Sequence, residues 1–154
     1  MAECDINTPN VKAFLKLIRY AEHYPDASDN FYYTLYGGGT FKGDAAHPNT
    51  AVSKWGHTST AAGAYQILYG TWKEAFDKKI VTDFKPASQD KLAFAKLKSR
   101  GALGSVCNGD LTTAYALLKN EWTSLPGAKQ SRLAASVAEK YFADAGGKVA
   151  EKAQ

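Results

Sequence analysis

Between residues 9 and 22 the apolar positions recur at helical spacing. Val11, Phe14, Leu15 and Ile18 fall on one stripe, while Lys12, Lys16 and Arg19 fall on the opposite face. Thr8-Pro9 reads as an N-cap followed by proline at the first helical position, so a helix is expected to start there and to end before Pro25. Over 26–41, Phe31, Tyr32, Tyr33, Tyr36 and Phe41 flank Gly37-Gly38-Gly39, a pattern that predicts two short strands joined by a turn. The small, polar, proline-containing stretch 43–59 is expected to be a long loop. Helical patterning then resumes over 60–76, with a break near Gly70, and over 86–101. Asn108-Gly109 is a turn and Asp110 an N-cap, followed by a stripe of Leu111, Ala114, Tyr115, Leu118 and Trp122 that Pro126-Gly127 ends. A last helix is expected over about 131–145, stopped by Gly146-Gly147. The pattern therefore predicts an α+β, mostly helical single domain spanning 1–154, with a small β-hairpin after the first helix.

Composition narrows this little. The 154 residues are 45% hydrophobic and 22% charged, ordinary for a globular chain that can bury a core without staples. A net charge of +4 favours acidic partners, but the basic residues are scattered along helices and most are explained by solvated faces. Neither nucleic-acid binding nor stable membrane insertion is expected, and no stretch approaches a membrane-spanning length. The acidic start, Met1 to Asp5, lacks the basic and apolar regions of a secretory signal, so export is expected to need another route. Cys4 and Cys107 leave two readings open, one long-range disulfide or two free thiols. His23, His47 and His57 lack zinc-like spacing and are read as structural or surface residues, and no phosphate-binding glycine loop is present. No metal or cofactor is expected.

The residue out of pattern is Glu22. It stands four positions after Ile18, on the core-facing stripe and near the C-terminal end of its helix. Burial disfavours the anion there, and so does the negative end of the helix dipole; both raise a carboxyl pKa towards what a general acid needs near neutrality. The second informative segment is Ser59-Thr60-Ala61-Ala62-Gly63-Ala64-Tyr65-Gln66-Ile67, where small residues permit close backbone approach and Tyr65 and Gln66 supply hydrogen-bonding groups. Among the tryptophans, Trp72 and Trp122 sit at helical spacing and are expected in the core. Trp55, in the polar loop, is the candidate for stacking on a sugar.

Ala61-x-Gly63-x-x-Gln66-Ile67 downstream of a helix-end glutamate resembles the signature of lytic transglycosylases of the lysozyme superfamily, and in particular the lambda-type phage endolysins. The resemblance runs from the first helix to Gly146-Gly147. It includes Gly37-Gly38, His47-Pro48, Ser59-Thr60, Ser88-Gln89-Asp90, Arg100-Gly101-Ala102-Leu103, Gly109-Asp110 and Trp122-x-Ser124-Leu125-Pro126-Gly127. It implies a lysozyme-like fold and cleavage of the β-1,4 bond between N-acetylmuramic acid and N-acetylglucosamine in the glycan strands of bacterial peptidoglycan, with a 1,6-anhydromuramic product. By the same resemblance Glu22 is the catalytic acid and base, Tyr65 and Gln66 orient saccharide near it, and Ser59 and Ser124 are further substrate-binding candidates. The enzyme is expected to act as a monomer and to wait in the host cytoplasm until a holin opens the inner membrane.

Two positions depart from the lambda-like pattern: Tyr33 stands where that pattern has an aspartate, and Ala64 where it has an arginine. The alternatives are a hydrolytic lysozyme, with Asp26 or Asp29 positioning water, and a non-enzymatic cell-wall-binding module. Asp26 follows Pro25 in a polar turn and reads as solvated. The T-even lysozyme spacing would put an acid nine residues after the glutamate and a threonine six further on, where this chain has Phe31 and Gly37.

Overall fold

A computed structural model describes residues 4–150 of the chain. These contain six α-helices: α1 Pro9–Glu22, α2 Tyr69–Asp77, α3 Pro86–Ser99, α4 Leu103–Cys107, α5 Leu111–Leu118 and α6 Ala135–Asp144. One antiparallel hairpin, β1 Val52–Lys54 and β2 His57–Ser59, pairs Val52 with Ser59 and Lys54 with His57. Two compact units result, Met1–Ala27 with Phe94–Gln154, and Ser28–Ala93; α3 begins in the second and ends in the first. No helix among the described residues is long and apolar enough to cross a membrane.

In the first unit α1 begins and ends where its pattern predicts, with Thr8 at the N-cap and Pro9 in the first turn. The Thr8 hydroxyl does not cap the helix; it accepts from the Asp5 N–H at 2.9 Å instead. Val11, Phe14, Leu15, Leu17 and Ile18 are all buried, and α1 packs on α4 and α6. Phe14 stacks on Tyr115 of α5 and meets Phe142 of α6 edge-on, with centroids 6.2 and 6.5 Å apart. Asp110 caps α5 through the Thr113 N–H. That helix stops at Leu118, four residues short of Trp122, and α6 starts at Ala135 rather than near 131. Of the two states open to the cysteines, the fold adopts the bridge: Cys4 and Cys107 form a disulfide. Beside it, buried Asn10 ties three segments together: its Nδ2 donates to the carbonyls of Val106, Cys107 and Lys148, and its Oδ1 accepts from the Lys148 N–H.

The second unit departs from the sequence pattern in two places. The hairpin exists, but it lies at 52–59, inside the expected loop, and not around the glycine run. Trp55 and Gly56, both at positive φ (54° and 77°), make its two-residue turn, the geometry that matches the twist of paired strands. The aromatic stretch instead bridges Thr34 with Thr40 around a 3-10 turn at Tyr36–Gly38, and Leu35 bridges Ala62. Secondly, 60–68 is not helical. Ala62 and Ile67 exchange backbone hydrogen bonds of 3.0 and 2.8 Å, closing a tight loop in which Gly63 and Gln66 take positive φ. Helix α2 begins only at Tyr69. The loop uses its small residues for close backbone approach.

Candidate active site

Glu22 is the last residue of α1, followed by His23, whose N–H bonds the carbonyls of Arg19 and Tyr20. The stripe that buries Phe14 and Ile18 carries Glu22 to the edge of the core, where it is half-buried. Solvent still reaches the residue, yet its carboxyl is surrounded densely enough that desolvation pushes the pKa from 4.5 up to about 8. The Ser124 hydroxyl opposes that rise. Ser124 lies between Trp122 and Leu125, which are 4% and 0% exposed and anchor the segment after α5. Its Oγ is buried and makes no hydrogen bond of standard geometry, so its influence on Glu22 is that of a nearby donor rather than a full bond. The first unit thus brings together two of the expected site residues, a carboxyl of raised pKa and a hydroxyl.

The second unit organises the loop that bears Gln66. Gln66 Nε2 donates to the carbonyls of Gly63 at 2.9 Å and Thr34 at 3.3 Å, and the Gly63 N–H donates to Thr34 O at 2.8 Å. Gln66 is half-buried at a positive φ of 51°. Tyr65 differs from expectation. At 1% exposure it presents no surface to a ligand, and its hydroxyl donates to Asp90 Oδ1 at 2.6 Å. The Tyr32 hydroxyl donates to the same oxygen at 2.7 Å, so Tyr65 anchors the loop from behind. Ser59 is half-buried at the end of β2, its Oγ accepting from the Ala61 N–H. Trp55 is 69% exposed at the hairpin tip, whereas Trp72 and Trp122 are buried as their spacing predicts.

Sequence reasoning assigns no role to Gln89, and the structure does. Wholly buried, its Oε1 accepts from the Ala64 N–H at 3.0 Å, while its Nε2 donates to the carbonyls of Tyr32 and Phe84, each at 2.9 Å. A Cβ on Gly63 would collide with Gln89 Oε1, and Gly63 has a φ of +84°, so glycine is required there on both counts. The available signal is a polar pair, Gln89-Asp90, one turn into a helix opened by Pro86. The two departures are also absorbed locally: the Tyr33 hydroxyl donates to Asp44 Oδ2 at 2.6 Å, and Ala64 is buried behind its bond to Gln89. Asp26 is exposed. His47 is buried; its Nδ1 accepts from the Asn49 N–H, so Nε2 donates to Ile67 O at 2.7 Å, and burial lowers its pKa. Among the described residues no group of three His, Cys, Asp or Glu could hold a metal ion.

The mostly helical fold, with one small hairpin among the described residues and a buried carboxyl at the end of its first helix, is that of a lysozyme-like enzyme. The Endolysin family model matches residues 12–149, and the chain belongs to that family. It is similar to the endolysin of Escherichia phage lambda, 36% identical over 149 residues that cover 91% of this chain and 93% of that protein. The endolysin of Escherichia phage P2 is 40% identical over 81 residues, 53% of this chain and 49% of its own length. Bacteriophage lambda lysozyme complexed with a chitohexasaccharide has the same fold, with a TM-score of 0.83 at 32% identity over 97% of this chain and 99% of that one. A second structure of lysozyme from bacteriophage lambda gives 0.82 at 31%.

Proposed function

We propose that this endolysin cleaves the β-1,4 bond between N-acetylmuramic acid and N-acetylglucosamine in peptidoglycan by lytic transglycosylation, the whole chain serving as one catalytic domain. The observation that carries the reading is the burial of the Glu22 carboxyl at the end of α1, which pushes its pKa up to about 8 against the opposing effect of the Ser124 hydroxyl. Protonated Glu22 gives its proton to the glycosidic oxygen as the bond to C1 breaks. The resulting carboxylate then takes the proton of the muramic 6-hydroxyl as O6 bonds to C1, which restores the acid and consumes no water. One residue serves as acid and then base, so no second carboxylate is needed; ordinary glycosidases use two. Tethering supports the sugar hydroxyl over water as nucleophile, because a well-oriented intramolecular group has an effective molarity of roughly 10⁵ M or more. Gln66, on its braced loop, is the residue assigned to saccharide contact, with Tyr65, Ser59 and Gln89 holding that loop. The saccharide named in the lambda lysozyme complex supports a glycan of N-acetylhexosamines as the ligand class. The enzyme would wait in the host cytoplasm for a holin to open the inner membrane.

Mass spectrometry of muropeptides released from purified peptidoglycan tests this. The expected main products are 1,6-anhydromuropeptides, each lighter by one water than a hydrolytic product and unchanged by borohydride. Borohydride-reducible ends as the main species would make the enzyme a hydrolase.

A further inference from the structure

We propose that Trp55 and its supports form a stacking site for the peptidoglycan glycan strand. Three observations show that the second unit is built to hold this ring out in solvent. The indole is 69% exposed, while Trp72 and Trp122 are 3% and 4% exposed. It occupies a left-handed position, φ 54°, in a two-residue hairpin turn where asparagine or glycine is the easy choice and a bulky aromatic is disfavoured. Strain of that kind persists where surrounding structure over-determines it, and here it does. Tyr36 meets the indole at right angles with centroids 5.5 Å apart, and its hydroxyl donates to Lys54 O at 3.1 Å. Lys54 Nζ lies 4.8 Å from the centre of the indole and donates to Gly37 O at 2.7 Å. Gly37, at φ +86°, lets this happen, since a Cβ there would come within 2.9 Å of Lys54 Cδ.

An exposed aromatic ring with its orientation already fixed loses little entropy when something stacks on it. The chemistry around it selects the occupant. On the strands behind the tip the exposed hydroxyls of Ser53 and Thr58 lie 2.7 Å apart, and the ammonium of Lys54 sits against the ring. A pyranose offers an apolar C–H face to the indole and hydroxyls to its neighbours, and the acidic peptide stems of the wall offer carboxylates to Lys54. A lipid surface fits less well, because an indole and one tyrosine among hydroxyl-bearing neighbours lack the apolar area of an interfacial anchor.

The inference rests on peptidoglycan being the substrate and is tested apart from turnover. In a Glu22→Gln background, Trp55→Asn and Trp55→Phe are compared for co-sedimentation with purified sacculi and, separately, with vesicles containing phosphatidylglycerol. Trp55→Asn is expected to weaken binding to sacculi roughly three- to tenfold, with Trp55→Phe between it and tryptophan. Asparagine suits the left-handed turn, so the Asn variant should keep or exceed the parent's thermal midpoint, and its weaker binding then reflects the lost ring. Undiminished binding of Trp55→Asn to sacculi overturns the proposal, and so does a loss confined to vesicles. Clearing of sacculi by the enzyme with Glu22 intact reads the substrate assignment separately. If the wild type clears and Trp55→Asn binds undiminished, only the stacking site falls; if the wild type leaves sacculi uncut, both fall.

Discussion

Glu22→Gln is expected to lower the rate of wall clearing by roughly 10² to 10⁴, the range ascribed to a positioned general acid–base. Glutamine keeps the shape and hydrogen-bonding capacity of a protonated glutamic acid, but it has no proton to deliver to the glycosidic oxygen. Glu22 is half-buried at the end of α1, where a neutral amide of the same shape fits, so the circular dichroism of the variant should match the parent's. Turbidity loss of purified sacculi measures the rate. Clearing within a factor of a few of wild type by a folded Glu22→Gln protein would remove Glu22 from the chemistry.

The same substitution should stabilise the protein, by an amount that grows as pH rises from 4.5 to about 8. The folded-state pKa of Glu22 is raised from 4.5 to about 8 by desolvation, so between those values the folded chain binds more protons than the unfolded one. Stability from this group is therefore fully present below pH 4.5, falls steadily as pH rises from there, and is fully lost above about 8. Glutamine stays neutral throughout and escapes that loss. Thermal melts should coincide near pH 4. At pH 9 Glu22→Gln should melt higher by roughly 5 °C or more, because a tenfold change in proton affinity on folding is worth about 1.4 kcal/mol. Equal midpoints at pH 9 would mean that the folded protein tolerates the anion at no cost, and the proposed acid would lose its physical basis.

These expectations are legible in the sequence because Glu22 violates a strong local pattern. Four apolar residues fix the buried face of α1, and a carboxylate on that face is conspicuous without any tertiary knowledge. The helices with clear stripes or caps, α1, α3 and α5, begin where the sequence places them for the same reason. The hairpin lies elsewhere than its pattern predicts because aromatic residues and glycines signal both strands and packed turns. Tyr36 and Gly37 brace a hairpin tip, and the strands themselves are short and polar. Residues 60–68 carry a helical signal because alanine-rich text has high helix propensity. The partners that override it, Thr34 and Gln89, come from distant segments on either side of Gly63 in the chain. Long-range pairing of that kind leaves no periodic trace. It also explains Tyr65, whose polar tip finds Asp90 in the same unit.

The state of the Glu22 carboxyl tests the account most directly. A ¹³C-detected NMR titration of glutamate carboxyls, assigned with Glu22→Gln, is expected to show one resonance that stays protonated through neutrality and titrates near pH 8. A Glu22 resonance titrating near 4.5 would show an anion at neutral pH, unable to protonate the leaving oxygen, and would contradict the mechanism.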